Sequence, residues 1–212
     1  MPQSALARRV TRRLERAHLA VSPLPLAKLL AYYELLSRWN QRMNLTARVD
    51  TDEAIDRLLV EPVIASRFLP RGAFGLMDVG SGGGSPAIPM KLMTPAMRLW
   101  MVESKARKGA FLREAVRQLE LSDTVVESRR AEDLLLRPEL HESMDVVSVR
   151  AVKVDGELLR RLSLLLKPQG EFFLFVGHSS GIPPDLQPFF ALRGRERLVD
   201  ALQSELLRIG RL

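Results

Sequence analysis

The residues best suited to chemistry form one stretch, Asp78-Val79-Gly80-Ser81-Gly82-Gly83-Gly84-Ser85-Pro86, where an apolar run ends in an acid and four glycines follow within five positions. Glycine at that density belongs where backbone takes positive φ or passes close to something. Beside a parallel strand, that something is a nucleotide-like ligand. The dinucleotide fingerprint Gly-x-Gly-x-x-Gly/Ala needs Gly or Ala at position 85, and this chain has Ser85. The Asp78 carboxylate at the edge of the loop would repel a pyrophosphate and suits a ligand bearing an amino group or a sulfonium. S-Adenosylmethionine matches that description better than NAD.

Four further groups extend the pattern. Glu103 ends the next strand about twenty residues on, placed to accept hydrogen bonds from ribose hydroxyls. Ala131 and Glu132 follow the third strand, where an adenine would lie. Taken singly each acid also reads as an exposed loop residue; at three successive strand ends they favour a shared ligand. Lys105, Arg107 and Lys108 occupy the first turn of a helix, where the macrodipole disfavours each cation by roughly 0.3–1 kcal/mol. A nucleic-acid phosphate would offset that cost, and so would Glu103. Arg150 ends the fourth strand on the same rim. It suits a base, a phosphate, or an ion pair with Glu132 or Asp78.

The elements that position these groups divide into two parts, an N-terminal helical extension (1–70) and an α/β domain (71–212). In the extension, Leu6, Val10, Leu14 and Ala17 repeat at helical spacing from Ser4 to Ala20. Arg9, Arg12 and Arg13 lie between them, as a solvated basic face or as a phosphate-contacting one. A second helix spans Leu24 to Met43 on a stripe of Leu26, Leu29, Leu30, Tyr33, Leu36 and Trp39. Asp50 and Thr51 cap a third, with Glu53 completing a capping box, and Pro62 kinks it. Beyond Gly72, strands at Phe74–Val79, Arg98–Glu103, Thr124–Glu127, Met144–Val149 and Glu171–Val176 alternate with helices at Pro86–Met93, Lys105–Leu119 and Asp155–Leu166 and a short turn near Ala131–Leu135. That alternation predicts a parallel sheet with helices on both faces and all strand C-termini along one edge. An irregular stretch through Pro188 precedes two weaker strands, Leu192–Val199 and Glu205–Ile209, which close the sheet.

The chain-wide balance narrows the partners. A formal net charge of +7 favours an anionic partner, nucleic acid first among them. There is no cysteine, which excludes disulfides and thiolate catalysis, and His18, His141 and His178 lack metal-ligand spacing, so no metal is expected. No apolar run approaches the roughly 18 residues of a membrane span. The Arg-rich start has no h-region, and a cytoplasmic, monomeric protein is the expectation.

In order and spacing, Trp39-Asn40…Asn44-Leu45-Thr46, Asp78-Val79-Gly80-Ser81-Gly82-Gly83-Gly84-Ser85-Pro86-Ala87-Ile88-Pro89, Glu103-Ser104…Lys108…Phe111-Leu112, Arg130-Ala131-Glu132 and Arg150-Ala151 resemble the bacterial 16S rRNA methyltransferase G family, also called glucose-inhibited division protein B. The resemblance implies a Rossmann-like class I methyltransferase domain behind a helical extension. It implies methyl transfer from S-adenosylmethionine to N7 of a guanosine in 16S rRNA or the small ribosomal subunit. It also implies cofactor contacts at Gly80, Ser85, Glu103, Ala131, Glu132 and Arg150, with Gly82 following from the loop and Arg57 and Arg150 as substrate-positioning candidates. The chain departs from the family where Arg-His-x-x-Asp-Ser reads Arg57-Leu58-Leu59-Val60-Glu61-Pro62, where Lys-Gly after the fifth strand reads Val176-Gly177, and where a bulky apolar residue after the loop is Ser85. The alternatives are a diverged paralogue acting on another RNA or a small molecule, a non-catalytic RNA-binding protein, and, weakest, an NAD dehydrogenase.

Overall fold

The structure is a computed structural model that describes residues 4–47, 49–150, 156–177 and 189–212. Ala151, Asp155, His178 and the expected irregular stretch through Pro188 lie outside those residues.

Among the described residues seven strands form one sheet: β1 (Phe74–Val79), β2 (Met97–Val102), β3 (Thr124–Glu127), β4 (Met144–Arg150), β5 (Leu166–Gly177), β6 (Phe190–Arg197) and β7 (Ser204–Arg211). Their order is β3-β2-β1-β4-β5-β7-β6. The first five run parallel, and β7 and β6 return antiparallel, closing the sheet as the two weaker strands were expected to do. Strand order reverses between β1 and β4, and ligand crevices in open α/β sheets form outside the strand ends at such a point. The glycine loop leaves β1 there and Arg150 ends β4 there.

Side chains alternate across the sheet and fill two apolar layers. Leu76, Leu99, Met101 and Phe173 join Leu29, Leu36, Ile55, Ile88 and Phe111 on one face. Met77, Val147, Val149 and Phe172 join Leu134, Leu159 and Leu162 on the other. The first layer is built by helices α1 (Ala5–Arg16), α2 (Pro23–Asn40), α5 (Ala87–Met93) and α6 (Ala106–Gln118), the second by α7 (Ala131–Leu134) and α8 (Gly156–Leu162). The helical extension therefore shares its core with one face of the sheet, and Trp39 meets Phe111 edge-on at 5.7 Å across that boundary. No helix of the described residues is long and apolar enough to cross a membrane.

Several boundaries differ from the sequence expectation; β5 starts at Leu166, where the last expected helix ends, and two others shift for local reasons. Helix α2 ends at Asn40 rather than Met43, because the Asn40 side-chain oxygen accepts from the backbone N–H of Leu45 (2.8 Å) and Thr46 (2.9 Å) and turns the chain. Thr51, not Asp50, caps the third helix, its hydroxyl accepting from the Ala54 N–H at 3.1 Å. That helix begins as α3 (Asp52–Ile55), widens into a π turn over Asp56–Val60 and resumes as α4 (Glu61–Ala65). In the π turn the Glu61 N–H reaches Asp56 O rather than Arg57 O, and Pro62 has no N–H to give Leu58 O. Two carbonyls, of Arg57 and Leu58, are thereby released from the α-helical ladder next to the glycine loop.

Candidate functional site

Gly80, Gly82 and Gly84 hold φ of +76°, +53° and +85°, the left-handed region that favours glycine. At Gly84 a Cβ would also lie 2.5 Å from Ile88 Cδ1. Gly83 is needed for another reason: α2 approaches so closely that a Cβ there would stand 3.0 Å from Leu36 Cδ1. The loop is tied to the end of β2, since the N–H groups of Gly80 and Ser81 both donate to Val102 O at 2.9 and 3.0 Å.

The helical extension fastens the loop from the other side. Tyr32 OH donates to Gly83 O at 2.6 Å, and burial pushes its phenol well above the ordinary tyrosine range. Ser85 Oγ donates to the released Leu58 O at 2.9 Å and accepts from Arg150 Nη1 at 3.1 Å. Arg150 Nη2 donates to the released Arg57 O at 2.5 Å and lies 3.2 Å from Glu61 Oε2. The acid partner of Arg150 is thus Glu61, not Glu132 or Asp78. Glu61 stands at the Asp of the Arg-His-x-x-Asp-Ser pattern, so an acid survives at that position although His and Ser do not. Both side chains are almost fully buried. Burial raises the Glu61 carboxyl, with Arg150 opposing, and lowers the Arg150 guanidinium, with Glu61 opposing.

Two cavities meet over the loop and share Gly80 and Glu103. One, of about 240 Å3, is lined by the loop with Ser85, Arg150, Arg57, Thr46 and Lys108. The other, of about 320 Å3, is lined by Ser104, Arg130, Ala131 and Glu132 among others. Glu103 is 7% exposed; its Oε2 accepts from Gly82 N–H at 3.0 Å and its Oε1 from Lys105 N–H at 2.8 Å. It therefore braces the loop and starts α6, and each oxygen keeps a lone pair for a ligand hydroxyl.

Asp78 departs from its expected place. It lies not at the loop's edge but beneath it, 1% exposed, paired in register with Ser148 of β4, whose hydroxyl donates to Oδ1 at 2.6 Å. Its Oδ2 is buried with no hydrogen-bond partner, and burial raises its carboxyl. Asp78 lines neither cavity, so its charge bears on a ligand through the loop above it rather than by contact.

The basic candidates separate by place. Lys108 turns toward the loop, its Nζ 3.9 Å from where a Gly82 Cβ would stand, whereas Lys105 and Arg107 are exposed at the start of α6. On α1, Arg9 pairs with Asp52 at 2.8 Å and Arg13 with the buried Asp56, so these two clamp α1 to the third helix rather than forming a solvated face. Arg12, with its side chain 56% exposed, reaches Asp52 only at 3.8 Å. Sequence reasoning passed over Tyr32 and Glu61; the i, i+4 spacing of Arg57 and Glu61 was the available signal for the latter.

A family model described as rRNA small subunit methyltransferase G matches residues 25–182. A protein of Acetivibrio thermocellus named ribosomal RNA small subunit methyltransferase G is 32% identical over 72% of this chain, which spans 63% of that protein's length, less than two thirds. A protein of the same name from Xanthomonas axonopodis pv. citri is 36% identical over 81% of this chain and 82% of its own. Among solved structures, a SAM dependent methyltransferase from Aquifex aeolicus superposes with a TM-score of 0.55 at 12% identity, over 84% of this chain and 97% of the other, a likeness of fold.

Proposed function

The chain belongs to the rRNA small subunit methyltransferase G family, and from that premise we propose that it transfers a methyl group from S-adenosylmethionine to N7 of a guanosine in 16S rRNA. The observation that carries the reading is the pair of cavities joined at Gly80 and Glu103, one beside Ala131 and Glu132 and the other walled by the helical extension.

S-Adenosylmethionine supplies an electrophilic sulfonium methyl when bound. Glu103 and Glu132 offer acceptors for its ribose and adenine side, and the glycine loop suits its amino-acid end. Guanine N7 carries a free lone pair and loses no proton on methylation, so no general base is required. Catalysis is then a matter of holding two partners in line. Arg57, Arg150 and Lys108 give the acceptor cavity a cationic wall suited to a phosphate or to the electron-rich edge of guanine. The Glu61–Arg150 pair and the released carbonyls fix that wall against the loop. The partner in this reading is 16S rRNA or the small ribosomal subunit, met by a monomer in the cytoplasm.

Nucleoside mass spectrometry of 16S rRNA from cells with and without the gene tests the reading; 7-methylguanosine is expected to fall by one site's worth. An unchanged level, with S-adenosylhomocysteine still bound in calorimetry, would move the reading to another RNA or a small molecule. Leu58 favours that second reading, because it lines the acceptor cavity where the family pattern has His.

A further inference from the structure

The turn that walls the acceptor cavity also borders a third cavity. Arg38 and Trp39 from the last turn of α2, with Gln41, Arg42 and Met43 beyond it, enclose about 410 Å3. The same turn continues into Leu45 and Thr46, which line the glycine-loop cavity, and Asn40 holds it by accepting from both their N–H groups. Trp39 is half-buried, its ring held edge-on against Phe111 of α6. Phe111 lies one helical turn from Lys108, whose ammonium faces Gly82. Arg38 and Arg42 are exposed, and among the described residues neither is joined to an acid, in contrast to Arg9 and Arg13 of the same extension.

A fixed indole flanked by two available guanidinium groups is the arrangement that holds single-stranded nucleic acid, with the base stacked on the ring and cations tracking the backbone. We propose that this cavity binds one nucleotide of the RNA strand, a neighbour of the nucleotide presented to the glycine loop. Its base stacks on Trp39, and Arg38 and Arg42 contact the adjoining phosphates. The Asn40-held turn then sets the spacing between the two nucleotides. This rests on the proposed function in one respect, that the acceptor is RNA.

Trp39 and Trp100 are the two tryptophans of the chain, and Trp100 lines neither this cavity nor the glycine loop. In a Trp100→Phe background Trp39 is therefore the only indole, and its emission is titrated with a single-stranded oligoribonucleotide copied from 16S rRNA. Quenching on binding is expected. Arg38→Ala with Arg42→Ala should lower the slope of log K against log salt by about 1.4, the value for two single-strand phosphate contacts. Trp39→Leu should weaken binding by roughly 5- to 150-fold while leaving that slope unchanged. Binding as tight and as salt-dependent in the double arginine variant as in the parent overturns the site, and that variant carries the test should Trp39→Leu fail to fold against Phe111. A protein that shows the expected quenching yet methylates no rRNA loses the proposed activity and keeps the site. One that methylates rRNA while both variants bind the oligonucleotide normally loses the site alone.

Discussion

Glu61 Oε2 lies 3.2 Å from Arg150 Nη2, with the two side chains 5% and 9% exposed, so a buried ion pair joins the helical extension to the end of β4. The rest of that junction follows from one residue and one turn. Pro62 and the π turn before it release Leu58 O and Arg57 O, and Ser85 and Arg150 take them up.

Removing one partner of a buried pair leaves the other charge uncompensated, at a cost of about 3–5 kcal/mol. Glu61→Ala should lower unfolding stability by that amount, and Glu61→Gln by less, because its amide oxygen still accepts from Arg150. Urea denaturation of the three proteins measures this, and equal stabilities would show that the pair carries no weight.

The same pair sets a pH dependence. Burial holds the Glu61 carboxyl above its ordinary value of 4.5. In a window above that value the folded protein keeps a proton that the unfolded chain has released. Stability therefore falls as pH rises through the window and levels off above the folded-state pKa. The decline should be smaller in Glu61→Gln, and parallel profiles for the two proteins would contradict the assignment.

The glycines should not be equal. Gly82→Ala meets only ordinary contacts, at 3.7 and 3.9 Å, and bears the left-handed backbone cost of about 1–2 kcal/mol. Gly84→Ala adds a collision with Ile88 at 2.5 Å and should be the more destabilised of the two. Thermal melting of both variants decides the order.

Tyr32→Phe removes the hydroxyl that donates to Gly83 O. A lost hydrogen bond that strands its partner costs about 1–3 kcal/mol. The loop should loosen as well, seen as weaker S-adenosylhomocysteine binding in calorimetry. A loss of stability without a loss of affinity would confine Tyr32 to packing.

Glu103→Gln keeps one acceptor oxygen but sets an NH2 against a second backbone donor, so either Gly82 or Lys105 loses its partner. Charge-assisted hydrogen bonds carry about 1.5–3 kcal/mol, and S-adenosylhomocysteine affinity should drop roughly 10- to 150-fold. Wild-type affinity in this variant would remove Glu103 from the cofactor site.

Periodicity and punctuation determine much of this protein without any tertiary information. Alternating strand and helix patterns after Gly72, the four clustered glycines and the acids at strand ends depend on local geometry, and local geometry is written in neighbouring residues. Parallel strands with right-handed crossovers then leave one edge for Gly80, Glu103, Ala131 and Arg150. The partner of a buried charge is a different matter. On the sequence Arg150 could pair with Glu132 or Asp78, and only the packing of a helix from the extension brought Glu61 within 3.2 Å. In the same way, helical spacing placed Arg9 and Arg13 on one face of α1, but whether that face met water, phosphate or Asp52 and Asp56 depended on which element lay across from it. Asp78 reads as a loop-edge acid and is a buried one, because Ser148 on the neighbouring strand accommodates half of its carboxylate. Spacing along the chain decides which face a residue occupies; the free energy of burying or pairing it depends on residues up to some ninety positions away, as from Arg57 to Arg150.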